Sequence, residues 1–469
     1  AWIAPVGRVQ QLDERGRHYF LRRSKMIVFV RKVTQFAHFV FVLLICVSLK
    51  NNKDDNLRIT FSRLIGIHMD KKLFDHLEHL ERDGDYLALI KEIRALVKAD
   101  RTVFRHPFIK HWCGIRWRNI FLTEALDDKT ALKKADSSKL LGRKDKRPHR
   151  QQLAETFLRG DEIREWQLEL PPVEAPASIV NTTLVFSPGL LTGMLPVQAF
   201  QTAFPKIEKR LGIRILRSDS HPMRGCAANS ADLLAAIERG EGFSADTRKI
   251  QPEDRCPPGD VVLIGYSKGA PDIYQLLVQR PDLKDRVRCI YNWGGAIGGS
   301  YLADDIYGSI KDLDIPRVEK ALAAFLSVIS PAIDVSSGSL RRIEEYNIKE
   351  AVYDLTTTAR EAFLAEHKAL LKSLDIPIFN ITGSTTAMEV PYFQIQGVMA
   401  LNRYDSNNDM QLTQSEAKLK VPMATDLAMV RAHHWNMSYD PFPKLMRFGS
   451  PHLDHPFPKE AAATAMVLL

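Results

Sequence analysis

Asp260-Val-Val-Leu-Ile-Gly-Tyr-Ser-Lys-Gly-Ala-Pro-Asp272 is the stretch that decides how the rest of this chain is read. Residues 261–264 form a short apolar run of the kind that makes a buried strand, and a helical pattern follows Gly269. Between them, Gly265-Tyr266-Ser267-Lys268-Gly269 matches G-x-S-x-G in a strand–turn–helix setting. Such a corner projects a serine hydroxyl from the top of a sheet. Glycines two residues before and two after the serine remove side chains where strand and helix must approach closely. The spacing makes Ser267 a candidate nucleophile. The alternative is a glycine-rich turn with the same letters and no chemistry.

Working outward, strands and helices alternate. Residues 183–186 read as a strand ending in Ser187-Pro188-Gly189, 200–211 as a helix, and 213–216 as a strand leading into His221-Pro222-Met223-Arg224-Gly225. Residues 231–239 read as a helix, and 287–292 as a strand ending in the run Gly294 to Gly299. Residues 301–372 are mostly helical, including 318–329 and 348–371, and 376–381 is a further strand. Alternation of this kind predicts an α/β fold with a doubly wound, mostly parallel sheet. Pro171-Pro172 and Pro176 mark the expected start of this domain, 171–469.

The N-terminal third reads differently. Residues 1–170 carry 34 Lys+Arg against 22 Asp+Glu, and residues 171–469 carry 31 against 34. The basic character therefore lies outside the elbow domain, which argues against nucleic acid as its partner. Residues 1–32 are a basic terminal stretch, either disordered or not native to the protein. Residues 33–49 are 17 residues without a formal charge. They read as an anchor or signal segment, with a buried core helix as the alternative. The first reading places the protein at a membrane or exports it; the second leaves it cytoplasmic. Residues 50–170 read as a basic helical region and linker, with a helical hairpin over 70–100 interrupted near Gly84. The basic run over 129–150 reads as a solvated linker or surface helix, or as a patch for anionic lipid or nucleic acid. Five cysteines without C-x-x-C spacing give no zinc motif; a single Cys226–Cys256 bridge is the pairing considered.

With the elbow and this order in place, residues 180–440 resemble the α/β-hydrolase fold, and more narrowly a group of bacterial lipase/esterase-like serine hydrolases. Four segments carry the resemblance: Phe186-Ser-Pro-Gly-Leu190, His221-Pro-Met-Arg-Gly225, Gly265-Tyr-Ser-Lys-Gly-Ala-Pro-Asp272, and Asn408-Asp409 followed by His434-Trp435. It covers a little over half the chain and nothing in residues 1–170. It implies a helical lid at about 300–375; no cofactor and no metal are expected. It also implies a small-molecule or lipid ester as substrate.

A serine needs a base, and the base an orienting carboxylate; in this fold the chain order is Ser, acid, His. The acids available are Asp405, Asp409, Glu416 and Asp426, with Asp304 or Asp305 more remote. The resemblance favours Asp409, because related chains have Asn-Asp-Gly-Gln where this one has Asn408-Asp409-Met410-Gln411; Asp405 is the alternative. For the base it favours His434, in the pattern Ala-x-His-Trp, with the adjacent His433 as rival. His452 and His455 lie in a proline-rich tail and read as surface residues. The oxyanion donors should be the N–H groups of Lys268, next after the serine, and Leu190, since Pro188 has none. The Lys268 side chain should point away, into solvent or helix packing. One rival pattern overlaps the acid: Asp405-x-Asn407-x-Asp409-x-Gln411-x-Thr413-x-x-Glu416 has the ligand spacing of an EF-hand calcium loop, with Met410 where glycine belongs. The other readings are thus a calcium-binding protein using 405–416, or a catalytically silent, membrane-tethered scaffold.

Overall fold

The computed structural model describes residues 71–136, 145–173, 177–312, 342–448 and 452–469. The chain divides into two units, 1–83 and 84–469. In the first, 71–83 are helical; the segments read at 1–32 and 33–49 lie outside the described residues, as do 137–144 of the basic run and 313–341 of the expected lid. Among the described residues, no helix is long and apolar enough to cross a membrane. The second unit holds the whole sheet.

Before the sheet come helices α1 (Tyr86–Ala99), α2 (Pro107–Ala125), α3 (Lys129–Ala135) and α4 (His149–Phe157). The sheet is built from β1 (Thr182–Ser187), β2 (Arg214–Arg217), β3 (Phe243–Ser244), β4 (Asp260–Tyr266), β5 (Val287–Trp293), β6 (Ile378–Ser384) and β7 (Ala424–Arg431). Between the strands lie α5 (Ala203–Leu211), α6 (Cys226–Arg239), α7 (Gly269–Gln279), α8 (Tyr301–Ile310), α9 (Ile348–Tyr353), α10 (Thr357–Glu366), α11 (Lys368–Ser373) and α12 (Ile395–Leu401). Helices α13 (Lys444–Phe448) and α14 (Lys459–Leu468) follow β7. The strand order is β3-β2-β1-β4-β5-β6-β7. All pairs are parallel except β2 with the two-residue β3. The order reverses between β1 and β4, and that switch point opens a crevice beyond the strands' C-terminal ends.

One face of the sheet packs on α6 and α7 through Val185, Leu216, Leu263, Ile273, Leu277 and Ile290, all fully buried. These β-branched and leucine runs are what the parallel strands require, because both faces are covered. The other face is aromatic. Trp117 of α2 stacks on Phe121 (5.3 Å between centroids), Phe121 on Phe457 (5.6 Å), and Tyr291 of β5 on Phe379 of β6 (4.9 Å).

Residues 84–170 pack onto the sheet rather than lead up to it. Arg118, buried in α2, donates to the Leu427 carbonyl of β7 (2.5 Å) and makes a two-pronged pair with Glu165 (2.7 and 2.6 Å). Arg159 N donates to Met429 O (2.9 Å), and Leu158 bridges Val430 in antiparallel fashion. The boundary expected at Pro171-Pro172 therefore separates no compact units. Cys226 is buried and Cys256 exposed, and both are free, so they form no bridge. Residues 395–401, which show no helical stripe, form α12.

Candidate active site

Ser267 sits directly after β4 with φ +53. An L-residue in this left-handed region costs about 1–2 kcal/mol, and the surroundings hold it there. Its N–H donates to Trp293 O (3.3 Å), and its carbonyl accepts from Ala296 N (3.0 Å) and Ala270 N (3.2 Å). The glycines explain the motif. A Cβ on Gly265 would lie 2.5 Å from Ala270 Cα, and one on Gly269 would overlap the Ser187 carbonyl oxygen at the end of β1. A third contact comes from the turn after β1: a Cβ on Gly189 would lie 2.8 Å from Ser267 Cβ.

His434 follows β7, whose ladder ends at Arg431. Its Nδ1 is 2.7 Å from Asp409 Oδ2, and its N–H donates to Asp409 O (2.8 Å). The other carboxylate oxygen, Oδ1, accepts from Gln411 N (2.9 Å) and Leu412 N (2.7 Å). His434 Nε2 is buried and has no hydrogen-bond partner among the described residues. It lines the same cavity as Ser267, about 310 Å³, whose other walls include Leu190, Leu195, Ile306, Val352 and Leu355. Helices α8 and α9 thus supply apolar wall from the region read as a lid.

The neighbouring candidates are placed elsewhere. His433 donates from Nε2 to His452 O (3.1 Å) and accepts from Asn436 N at Nδ1 (3.2 Å), so both ring nitrogens are occupied. His455 is buried rather than on the surface, with Nδ1 2.9 Å from Asp440 O. Asp405 accepts from Asn407 N (2.8 Å) and Gln414 N (3.0 Å). Asp304 accepts from Thr357 N (2.8 Å) and Thr357 Oγ1 (2.7 Å), at the start of α10. Asp426 receives Asn380 Nδ2 (2.9 Å) and Lys418 Nζ (2.8 Å). In the 405–416 loop the Asp405 and Asp409 oxygens are turned onto backbone N–H groups and His434. Among the described residues no group of three or more His, Cys, Asp or Glu side chains is placed to hold a metal ion. Met410, standing where the related pattern has glycine, keeps the glycine conformation, with φ +75 and its side chain fully buried.

No protein-family model matches the sequence, and no curated protein matches it. Solved structures do. The chain is similar to a metagenomic carboxyl esterase, with 22% identity, a TM-score of 0.52, and coverage of 75% of this chain and 90% of that one. It also aligns with the mature form of a Bacillus licheniformis lipase (20% identity, TM-score 0.38, 56% and 89% covered). A Staphylococcus hyicus lipase aligns as well (12%, 0.36, 64% and 98%).

This chain has the α/β-hydrolase fold.

Of the two expected oxyanion donors, Leu190 lines the same cavity as Ser267 and Lys268 is next to it in the chain. Leu191 N donates to Pro222 O (3.3 Å), while the N–H of Leu190, one residue earlier, has no hydrogen-bond partner among the described residues. Lys268 follows the serine, and its side chain turns away from the cavity. It is buried and pairs with the equally buried Asp272 at 2.6 Å. Burial alone would lower the Lys268 ammonium; the Asp272 carboxylate more than offsets this and raises it. Two features of this site carry no sequence signal. Tyr266 stacks on the His434 ring (5.1 Å) and donates its hydroxyl to His434 O (3.0 Å), bracing the histidine from the elbow itself. The Lys268–Asp272 pair has the i,i+4 spacing of countless surface pairs.

Burial also lowers His433 to about 3, far below the ordinary 6.5. The ring stays neutral in the folded protein, whereas the unfolded chain protonates it below about pH 6.5. Its contribution to stability is therefore fully present above about pH 6.5 and is lost as pH falls toward about 3, at about 1.4 kcal/mol per pH unit. Urea midpoints between about pH 6.5 and 4 should fall, and His433→Gln should remove about that much of the slope. An unchanged slope in the variant would refute the assignment.

Proposed function

We propose that this protein hydrolyses carboxylic esters through Ser267, His434 and Asp409. The observation that carries the reading is His434 itself: Nδ1 held by a carboxylate, Nε2 buried without a partner among the described residues, on the wall of the cavity that Ser267 also lines. A buried polar nitrogen left unpaired costs free energy unless a ligand or a reacting hydroxyl completes it.

The steps follow from those roles. Ser267 Oγ attacks the acyl carbonyl carbon as its proton passes to His434 Nε2. Asp409 fixes the tautomer with Nδ1–H and stabilises the imidazolium. Charge on the carbonyl oxygen is met by the N–H groups of Leu190 and Lys268. Collapse breaks the bond to the alcohol, which leaves with the proton from His434. Water, deprotonated by His434, then attacks the acyl-enzyme; the acid departs and Ser267 regains its proton. An apolar wall of leucine, isoleucine and valine suits an acyl chain, and likeness to a carboxyl esterase agrees with an ester bond.

The test is turnover of p-nitrophenyl esters, from acetate to palmitate, by the full chain with Ser267→Ala beside it. Turnover should be present in the wild type and about 10⁴-fold lower or less in the variant. The chain-length profile separates esterase from lipase. Folded wild-type protein that cleaves no ester faster than the variant would end the proposal.

A further inference from the structure

The second of the resembling segments, His221 to Gly225, takes no part in the chemistry above, yet it is joined to both oxyanion donors. On one side, Lys268 Nζ donates to Asp272 Oδ1 (2.6 Å), and Asp272 Oδ2 receives Asn229 Nδ2 (3.1 Å). On the other, Asn229 Nδ2 also donates to His221 O (3.2 Å), and its Oδ1 accepts from His221 N (3.1 Å) and Arg224 Nε (3.2 Å). Pro222, next in the chain, accepts from Leu191 N (3.3 Å). All four hydrogen-bonding positions of the Asn229 amide are filled, and the Asp272 carboxylate sets which end of the amide faces it. Asn229, Asp272, Lys268 and His221 are each at most 2% exposed.

This continuous path begins at the residue that follows the nucleophile and ends beside Leu190. The two donors come from turns after different strands, β1 and β4, so no short stretch of chain fixes their separation. An oxyanion site works only when both N–H groups lie about 2.7–3.1 Å from one oxygen. We propose that Asn229 is a positioning residue that sets the spacing of the Leu190 and Lys268 N–H groups through the 221–225 turn. The inference rests on the ester-hydrolase reading and adds to it a residue remote from the reacting atoms.

The test compares Asn229→Ala with Asn292→Ala in the full chain. Asn292 is a matched control, fully buried on β5, its side chain bonded to Tyr274 and Asn380 (2.8 Å each) and making no hydrogen bond to either donor turn among the described residues. Losing one oxyanion donor outright costs about 10²–10³ in kcat, and loosening the pair should cost less. Asn229→Ala should lower kcat about 10–100-fold with KM changed less than about 3-fold, while Asn292→Ala keeps kcat within about 3-fold. The isosteric Asn229→Asp, which turns a donor into an acceptor facing Asp272, should show the same kcat loss. Wild-type turnover with kcat unchanged in folded Asn229→Ala or Asn229→Asp overturns this proposal alone. So do equal kcat losses in the Asn229 and Asn292 variants, or misfolding of both Asn229 variants while Asn292→Ala folds, since either outcome makes Asn229 a general structural residue. No turnover by the folded wild type removes the parent reading and this one with it.

Discussion

Asp409→Asn should leave the protein folded and lower kcat for p-nitrophenyl ester hydrolysis about 10⁴-fold. The size of the effect follows from how the carboxylate is held. Oδ1 accepts from two backbone N–H groups, Gln411 and Leu412, so an amide at this position must keep its oxygen there. Its NH₂ then faces His434 Nδ1, which can only accept. The histidine is driven into the tautomer with Nε2–H, and that nitrogen can no longer take the proton of Ser267. Volume and backbone bonds are unchanged, so thermal stability should shift little, and the loss should appear in kcat. Asp405→Asn provides the contrast, because Asp405 serves Asn407 and Gln414 and does not reach His434. If Asp409→Asn retains more than about a tenth of wild-type kcat, Asp409 is not the orienting acid.

Gly269→Ala should have the largest effect on folding. The added Cβ would sit on the Ser187 carbonyl oxygen, and Ser187 is locked into the parallel ladder opposite Gly265. Neither backbone can give way without separating β1 from β4 at the point where the sheet reverses. A methyl forced against main chain belongs to the small class of substitutions that cost more than about 4 kcal/mol. We expect little soluble protein, and any that folds should be inactive, because the Ser267 turn would be displaced. Gly308→Ala, whose new methyl would meet no atom within 4 Å beyond its chain neighbours and its own helix backbone among the described residues, should be tolerated in the same expression test. A Gly269→Ala protein with wild-type melting behaviour would contradict the packing described here.

The elbow turn and the parallel alternation are legible in the sequence because each is a local pattern. Residues 261–264 are continuously apolar, as a strand covered on both faces must be, and Gly265 and Gly269 stand where only hydrogen fits. Other parts were not legible for equally physical reasons. Helix α2 is buried around most of its circumference, including Arg116, Arg118 and Asn119, so it shows no apolar stripe to separate it from the basic region around it. A strand of two residues, β3, has no period. Met410 holds a glycine conformation with a buried side chain, which no residue-type rule anticipates. The roles of Asn229 and Tyr266 depend on contacts across 43 and 168 positions of chain.

The contacts of Arg118, Leu158 and Arg159 with β7 have a meaning for self-association. β7 is the last strand of the sheet, and an uncovered last strand offers its free N–H and C=O groups to any passing chain. Here the Leu427 and Met429 carbonyls are taken by the segment before Pro171, and Val430 is bridged by it. That segment works as an edge guard. A protein cut at residue 170 would keep every residue of the proposed chemistry and lose its protection against aggregation, so the smallest well-behaved catalytic unit must begin upstream of α2.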